Sequence, residues 1–360
     1  MTSAAWGLAL IGRLLKGCLD RGIEPMTEAR ATGVIIGDGA VAGVRFDGTE
    51  GAFEVRARAV ILATGGFEWD TDLVRAFVRG PMTHPVSIPT NTGDGLKIAM
   101  RAGAMLGNMR EAWWMPVIEV PTDVIAMGRQ LLTYERTMPG GLMVNRHGRR
   151  FTNEASNYNA FGAAFHEQDV SRFEYANLPC WLIFNRDFYQ RYPFVGGLTD
   201  GFTAVTEPPQ WIARGDTLDT LAHRVGIDAE GLTATVARFN ANSAGDAPHD
   251  SDFRRGESAN DLWWGDPAWR GDRRATLAPL GDGPYYAVEV KSGALGTKGG
   301  PQTDPDARVL DVDGIPIPGL YATGNVMASV MGMTYGGAGG TLAPGMVFGY
   351  RAGVVAARHA

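Results

Sequence analysis

The stretch from Leu320 to Ala352, LYATGNVMASVMGMTYGGAGGTLAPGMVFGYRA, decides how the chain is read. Five of the nine residues from Gly332 to Gly340 are glycine and Tyr335 stands among them. The pattern beyond predicts a helix beginning near Thr341 or Leu342. Glycine lets the backbone approach a neighbour closely and adopt unusual φ/ψ, and a helix start presents free N–H groups, so this stretch can bring main-chain donors against a ligand. By composition alone it is equally a glycine-rich loop between two core elements.

Upstream, Ala59-Val60-Ile61-Leu62-Ala63 reads as a strand buried on both faces, and it ends in the tetrad ATGG, Ala63 to Gly66. In open α/β sheets ligands bind at this end of a strand. Before it, residues 6–19 repeat apolar side chains at helical spacing, PMTEAR and TGVIIGDGAVAGVRF read as strands, and Gly37-Asp38-Gly39 marks a hairpin. After it, Asn91 to Gly95 precede a helix, and Asp94 lies where an N-terminal cap belongs.

From Trp113 the texture becomes aromatic: AWWMP, LMVNRHGRRFTNEASNYNAFGAAF, CWLIFNRDFYQRYPF and DLWWGDPAW. Residues 217–242 predict two helices broken at Gly226 and Gly231, and residues 247–265 an ordered surface loop. The last part returns to strands with a hairpin at Asp313-Gly314. The organisation expected is therefore α/β (α+β), with residues 1–118 and 297–360 as one discontinuous domain and 119–296 inserted as a second.

A chain of 360 residues, 45% hydrophobic, can bury a sizeable core. Its net charge of −6 disfavours nucleic acid as a partner. Cys18 and Cys180 lack CxxC spacing, read as buried small hydrophobes and suit a cytoplasmic location. No apolar run reaches the roughly 18 residues of a membrane span, which leaves peripheral association with a membrane surface as the form of membrane contact open to it. No short period organises the 49 glycines, which excludes a collagen-like fold.

Taken in order, ATGGF (63–67), NTGDG (91–95), VNRHGRRFTNEA (144–155), GTKGG (296–300) and the opening block resemble the flavoproteins of the fumarate reductase and 3-ketosteroid dehydrogenase type, over nearly the whole chain. The resemblance implies a Rossmann-like FAD-binding domain with an inserted substrate domain. It implies FAD contacts at Thr64, Gly65, Gly66, Asp94, Gly324, Asn325, Gly340, Thr341 and Leu342, and no metal is assigned. Within that family the branch turns on two positions. Where fumarate reductases place arginines, this sequence holds Tyr158 and Tyr335, and no histidine stands in WWMP or GALGTKGG. A site without those cations should bind fumarate poorly.

The tyrosines resemble the 3-ketosteroid Δ1-dehydrogenase pattern. That likeness implies that Tyr335 and the Gly339 N–H hold a C3 carbonyl, that Tyr158 takes the C2 proton, and that a hydride leaves C1 for flavin N5. The implied substrate is a steroid-like apolar ketone, and the electron acceptor stays unassigned. Tyr134, Trp114 and Phe194 are candidates to line its pocket. Readings left beside it are a Δ4-(5α) dehydrogenase, another fumarate-reductase-like flavin reductase, and a non-catalytic remnant. Members of the family begin with a strand–GxGxxG–helix–strand unit. Here GDGAVAG (37–43) has the wrong spacing and falls in a hairpin. The expectation is an incomplete copy of a longer flavoprotein that purifies pale and weakly active.

Overall fold

Residues 6–192 and 207–358 are described by the computed structural model of the chain. Phe194 lies outside them. Helix α1 (Trp6–Leu19) carries Leu8, Ile11, Leu14 and Leu19 outward, each exposed by half or more. Of the segment 25–30 expected as a strand, only Arg30 joins one. Strand β1 (Arg30–Gly37) turns into β2 (Ala40–Gly48) through Asp38 and Gly39, both at positive φ, 52° and 77°. This is type I′ geometry, whose twist matches that of the strands it joins. Strand β3 (Gly51–Arg56) completes an antiparallel meander.

Strand β4 (Val60–Leu62) buries Val60 and Leu62, but Ile61 is 39% exposed, so the strand is covered on one face rather than both. Helix α2 (Asp94–Arg101) starts after Gly93, which sits at φ 74° and supplies no side-chain cap. Asp94 therefore does not cap; it is the first helical residue. Strands β5 (Ala112–Glu119), β6 (Leu142–Asn145) and β7 (Cys180–Asn185) follow.

Helix α3 (Leu218–Val225) ends on a left-handed Gly226. Helix α4 (Ala229–Ser243) begins at once, with Gly231 inside its first turn rather than at a break. Strand β8 (Tyr285–Thr297) spans the large sheet, after which come β9 (Arg308–Leu310), β10 (Pro316–Ala322) and α5 (Leu342–Arg358).

Two sheets set the frame. In the seven-stranded one β8 lies between β5 and β7, with β6 beyond β7. Side chains alternate across a strand, so Cys180, Leu182 and Phe184 of β7 enter one apolar cluster while Trp181 and Ile183 enter another. That double burial is why CWLIFN reads as an unbroken apolar run. In the smaller sheet β4 runs parallel to β10, pairing Val60, Ile61 and Leu62 with Leu320, Tyr321 and Ala322.

The segment 247–265, expected as a surface loop, instead drives Asp250, Arg255 and Asp261 into the interior, each no more than 1% exposed. Cys180 is buried and Cys18 only half-buried, so one of the two cysteine readings is corrected.

Candidate active site

Parallel pairing of β4 and β10 places their carboxyl ends side by side, and the chain leaves each end through a glycine turn. The Thr323 N–H donates to the Leu62 carbonyl at 2.9 Å, which puts Thr323-Gly324-Asn325 next to Thr64-Gly65-Gly66. Space there is tight. A Cβ at Gly65 would meet the Asn91 side chain at 2.4 Å, and one at Gly66 would meet both Glu68 and Thr297 at 2.3 Å. Gly65 also needs its positive φ of 76°.

Helix α5 comes to the same end. Thr323 Oγ1 donates to the Gly345 carbonyl at 2.7 Å, tying the helix's first turn to the β10 exit. The N–H groups of Thr341 and Leu342 make no backbone hydrogen bond among the described residues, as expected for the first positions of a helix. A small cavity is lined by Gly324, Asn325, Gly340 and Thr341 together with Trp113, Thr297 and Lys298. Side-chain-free approach suits a flavin's flat ring, and free N–H donors with a helix N-terminus suit its pyrimidine edge, where negative charge gathers on reduction, so the residues present fit FAD. Asp94 stands apart in one respect. Its carboxylate is held by Arg30 through two bonds of 2.8 Å, which keep it below the usual carboxylate range.

The two tyrosines meet. Tyr158, on the short turn Tyr158–Ala160, and Tyr335 share a hydroxyl–hydroxyl hydrogen bond, with ring centroids 4.8 Å apart. Burial first, then the Tyr335 hydroxyl, pushes the Tyr158 phenol well above its ordinary value. The Arg136 guanidinium pulls the other way. Arg136 is buried, has no ion-pair partner among the described residues, and is held down to about 9 by that burial; it donates to the carbonyls of Leu132, Glu154 and Ser156 and so fixes the turn that delivers Tyr158. Gly339 stands at φ 93° with an N–H that makes no backbone bond among the described residues, and Gly340 packs on the Tyr335 ring.

Trp113 joins the tyrosine pair to the cradle. Its Nε1 donates to Asn325 Oδ1 at 3.1 Å, and its ring lies edge-on to Tyr335 at 5.9 Å. The parity of β5 decides this. Trp113 faces the site, whereas Trp114, the pocket candidate, points away and packs against Gly162 and His166. Tyr134 is half-exposed against Trp264.

Sequence reasoning passed over Glu68, Arg136 and Lys298 as well as Trp113. Glu68 is buried and accepts from Ser87 Oγ (2.5 Å), Asn91 Nδ2 (2.7 Å) and the Thr297 N–H (3.2 Å), linking three glycine motifs through one carboxylate. Its only signal was its place one residue after ATGGF. The lysine was quoted within GTKGG and not singled out.

Behind the Tyr158 turn lies a closed ion network. Glu154 accepts from Arg150 at 2.8 and 2.6 Å, from Arg255 at 3.2 Å and from the Met143 N–H at 3.1 Å, and Arg150 also grips Asp250. Burial alone would raise the Glu154 carboxyl; the two arginines outweigh it and hold the group below its usual range.

A family model described as FAD binding domain matches residues 2–342. The chain belongs to the FAD binding domain family. The 4-oxocyclohexanecarboxylate 2-dehydrogenase of Sinomonas cyclohexanicum is 42% identical over 97% of this chain and 60% of its own length. The 3-oxosteroid 1-dehydrogenase of Mycobacterium tuberculosis is 39% identical over 96% of this chain and 62% of its own. Among solved structures, 3-ketosteroid delta1-dehydrogenase from Sterolibacterium denitrificans in complex with 1,4-androstadiene-3,17-dione matches with a TM-score of 0.85 at 37% identity, over 95% of this chain and 61% of that one. The chain thus spans about 60% of the length of the curated relatives it matches. The mixed α/β flavoprotein fold expected from the motifs is the fold of this FAD binding domain family, FAD is its cofactor, and the three relatives named above are dehydrogenases. Among the described residues no helix is long and apolar enough to cross a membrane.

Proposed function

We propose that this chain provides the ketone-binding and proton-handling part of a FAD-dependent oxidoreductase that desaturates a 3-ketosteroid between C1 and C2, a step of steroid catabolism. The observation that carries the reading is the Tyr158–Tyr335 hydroxyl pair, joined through Trp113 to Asn325 of the glycine cradle. Residues 1–118 and 297–360 then form the cofactor side and 119–296 the substrate side. Thr64, Gly65, Gly66, Gly324, Asn325, Gly340, Thr341 and Leu342 hold FAD, with Asp94 contributing from the start of α2. FAD in this cradle supplies the hydride acceptor.

The chain's own residues do the proton work. Tyr335 and the Gly339 N–H donate to the ketone oxygen and polarise it, which acidifies the adjacent C–H. Donating to the ketone takes the Tyr335 hydroxyl away from Tyr158; with its own phenol proton released to solvent, Tyr158 acts as the phenolate that takes the proton from C2 and returns to the phenol. Tyr158 is a reluctant base while its phenol is pushed up by burial, and the Arg136 charge beside its turn favours the phenolate.

A second reading has its own support, the 42% identity to a dehydrogenase named for a carboxylated cyclohexanone. Both readings share α,β-dehydrogenation of a cyclic ketone and differ in ring number. The test is to incubate the chain with FAD, a dye acceptor and either a 3-ketosteroid or 4-oxocyclohexanecarboxylate, and to place the new double bond by NMR. A steroid C1=C2 bond is expected. Turnover of the cyclohexanone alone would move the substrate to the second reading, and a 4,5 double bond would make the chain a Δ4-(5α) enzyme. FAD and steroid binding without product would leave it a binding remnant.

A further inference from the structure

Lys298 follows β8 directly and is 0% exposed, yet it makes no ion pair among the described residues. Its ammonium donates to the Thr334 carbonyl at 2.9 Å and lies 4.4 Å over the ring of Trp113. Its main chain is tied down on both sides, the N–H to the Glu111 carbonyl and the carbonyl to the Ser329 N–H, each at 2.9 Å. One residue thus spans the turn from Ser329 to Thr334, immediately before Tyr335. The charged groups facing it are Glu111, which Arg79 pairs at 2.9 Å, and Arg79 itself; Tyr335 lies edge-on to the same Trp113 ring. A cation over an indole face is stabilised by the ring quadrupole, and more so when both are dry.

We propose that Lys298 is a positioning residue for Tyr335 and Asn325: its charged ammonium clamps the Thr334 carbonyl and the Trp113 ring, and through them fixes the phenol and the cradle amide in one unit. Burial holds the ammonium down to about 8, with the Glu111 charge only partly offsetting it. Raising the pH through that value neutralises the clamp, so the turn 329–340 loosens in mildly alkaline solution. The consequence for catalysis rests on the reading of Tyr335 as the ketone donor; the coupling of Lys298 to the turn does not.

The test is amide hydrogen exchange of the full chain, read on peptides covering 329–340 from pH 6.5 to 9.5 and corrected for base-catalysed intrinsic exchange. In the unsubstituted chain, protection of 329–340 should fall through a midpoint near pH 8. Lys298→Met keeps the stem and removes the charge. It should exchange about tenfold faster there at pH 7, the loss of one charge-assisted hydrogen bond, and show no midpoint. Lys298→Arg should restore protection, while peptides of β6 and β7 stay unchanged in both. Equal protection of 329–340 in Lys298→Met and the unsubstituted chain would overturn the proposal. Should Lys298→Met not fold, the titration of the unsubstituted chain and Trp113→Phe decide instead: a flat profile, or full protection without the indole, rejects the clamp. Absence of ketone turnover with the exchange pattern intact would count against the proposed function and leave the clamp standing.

Discussion

Two sets of buried charges flank the tyrosine pair, and they are treated in opposite ways. Behind Tyr158, Arg150, Glu154, Asp250 and Arg255 neutralise one another through short, multiple bonds. On the cradle side, Glu68 and Lys298 are equally buried but, among the described residues, answer only to neutral donors, a carbonyl and a ring. Burying an isolated charge is costly, and a closed pair returns only part of that cost. Compensated charges are the mark of a scaffold. Uncompensated charges around a helix N-terminus and a set of free N–H groups are the mark of a place where a polar ligand completes the electrostatics.

The largest effect should come from opening the closed set. Arg255→Met removes a guanidinium that serves Glu154 and the carbonyls of Gly141 and Met138. It should cost about 3–5 kcal/mol, the usual loss when one partner of a buried pair is removed, seen as a lower urea midpoint at unchanged slope. A loss under about 1 kcal/mol would erase the distinction between the two sets.

Next in size is a neutral, half-buried group. His166 is packed on Trp114 and burial holds its imidazole down to about 4. With a depressed folded value the unfolded chain binds the extra proton, so this contribution is fully present above the ordinary value near 6.5 and is lost as pH falls toward 4. His166→Gln should therefore flatten the stability–pH curve between pH 6.5 and 4.5 by up to about 3 kcal/mol. Parallel curves for the two chains would show that His166 is hydrated.

The smallest effect sharpens the uncompensated set. Glu68→Gln keeps the shape but turns an N–H₂ toward donors on one side, either Ser87 and Asn91 or Thr297. A destabilisation of about 1–3 kcal/mol is expected from the mismatch, with exchange quickening in Asn91–Gly95 and Gly296–Thr297 together. Stabilisation would contradict the assignment of three donors to the Glu68 side chain.

Much of this arrangement could be read in the sequence because it lies in local pattern. The glycines of the two turns, the αL Gly226, the Asp38-Gly39 turn and the continuous apolar run of β7 each report their own backbone or burial. What escaped reading depends on partners far along the chain. Arg30 reaches across 64 residues to take Asp94, and Arg150 across 100 to take Asp250. The segment 247–265 is rich in polar residues because it feeds a buried network, and composition alone cannot tell that from a solvated loop. Adjacent tryptophans posed a parity question that neither residue type could answer, and Trp113 proved to face the site.

In the proposed reaction Tyr335 and Gly339 polarise a ketone while Tyr158 moves its α-proton. Deuterium exchange at the α-carbon tests this most directly, because it needs no electron acceptor. The chain with FAD and a 3-ketosteroid in D₂O should wash deuterium into C2, and Tyr158→Phe should slow that exchange by about 10²–10⁴-fold while steroid binding persists. Equal exchange in the two chains would contradict it.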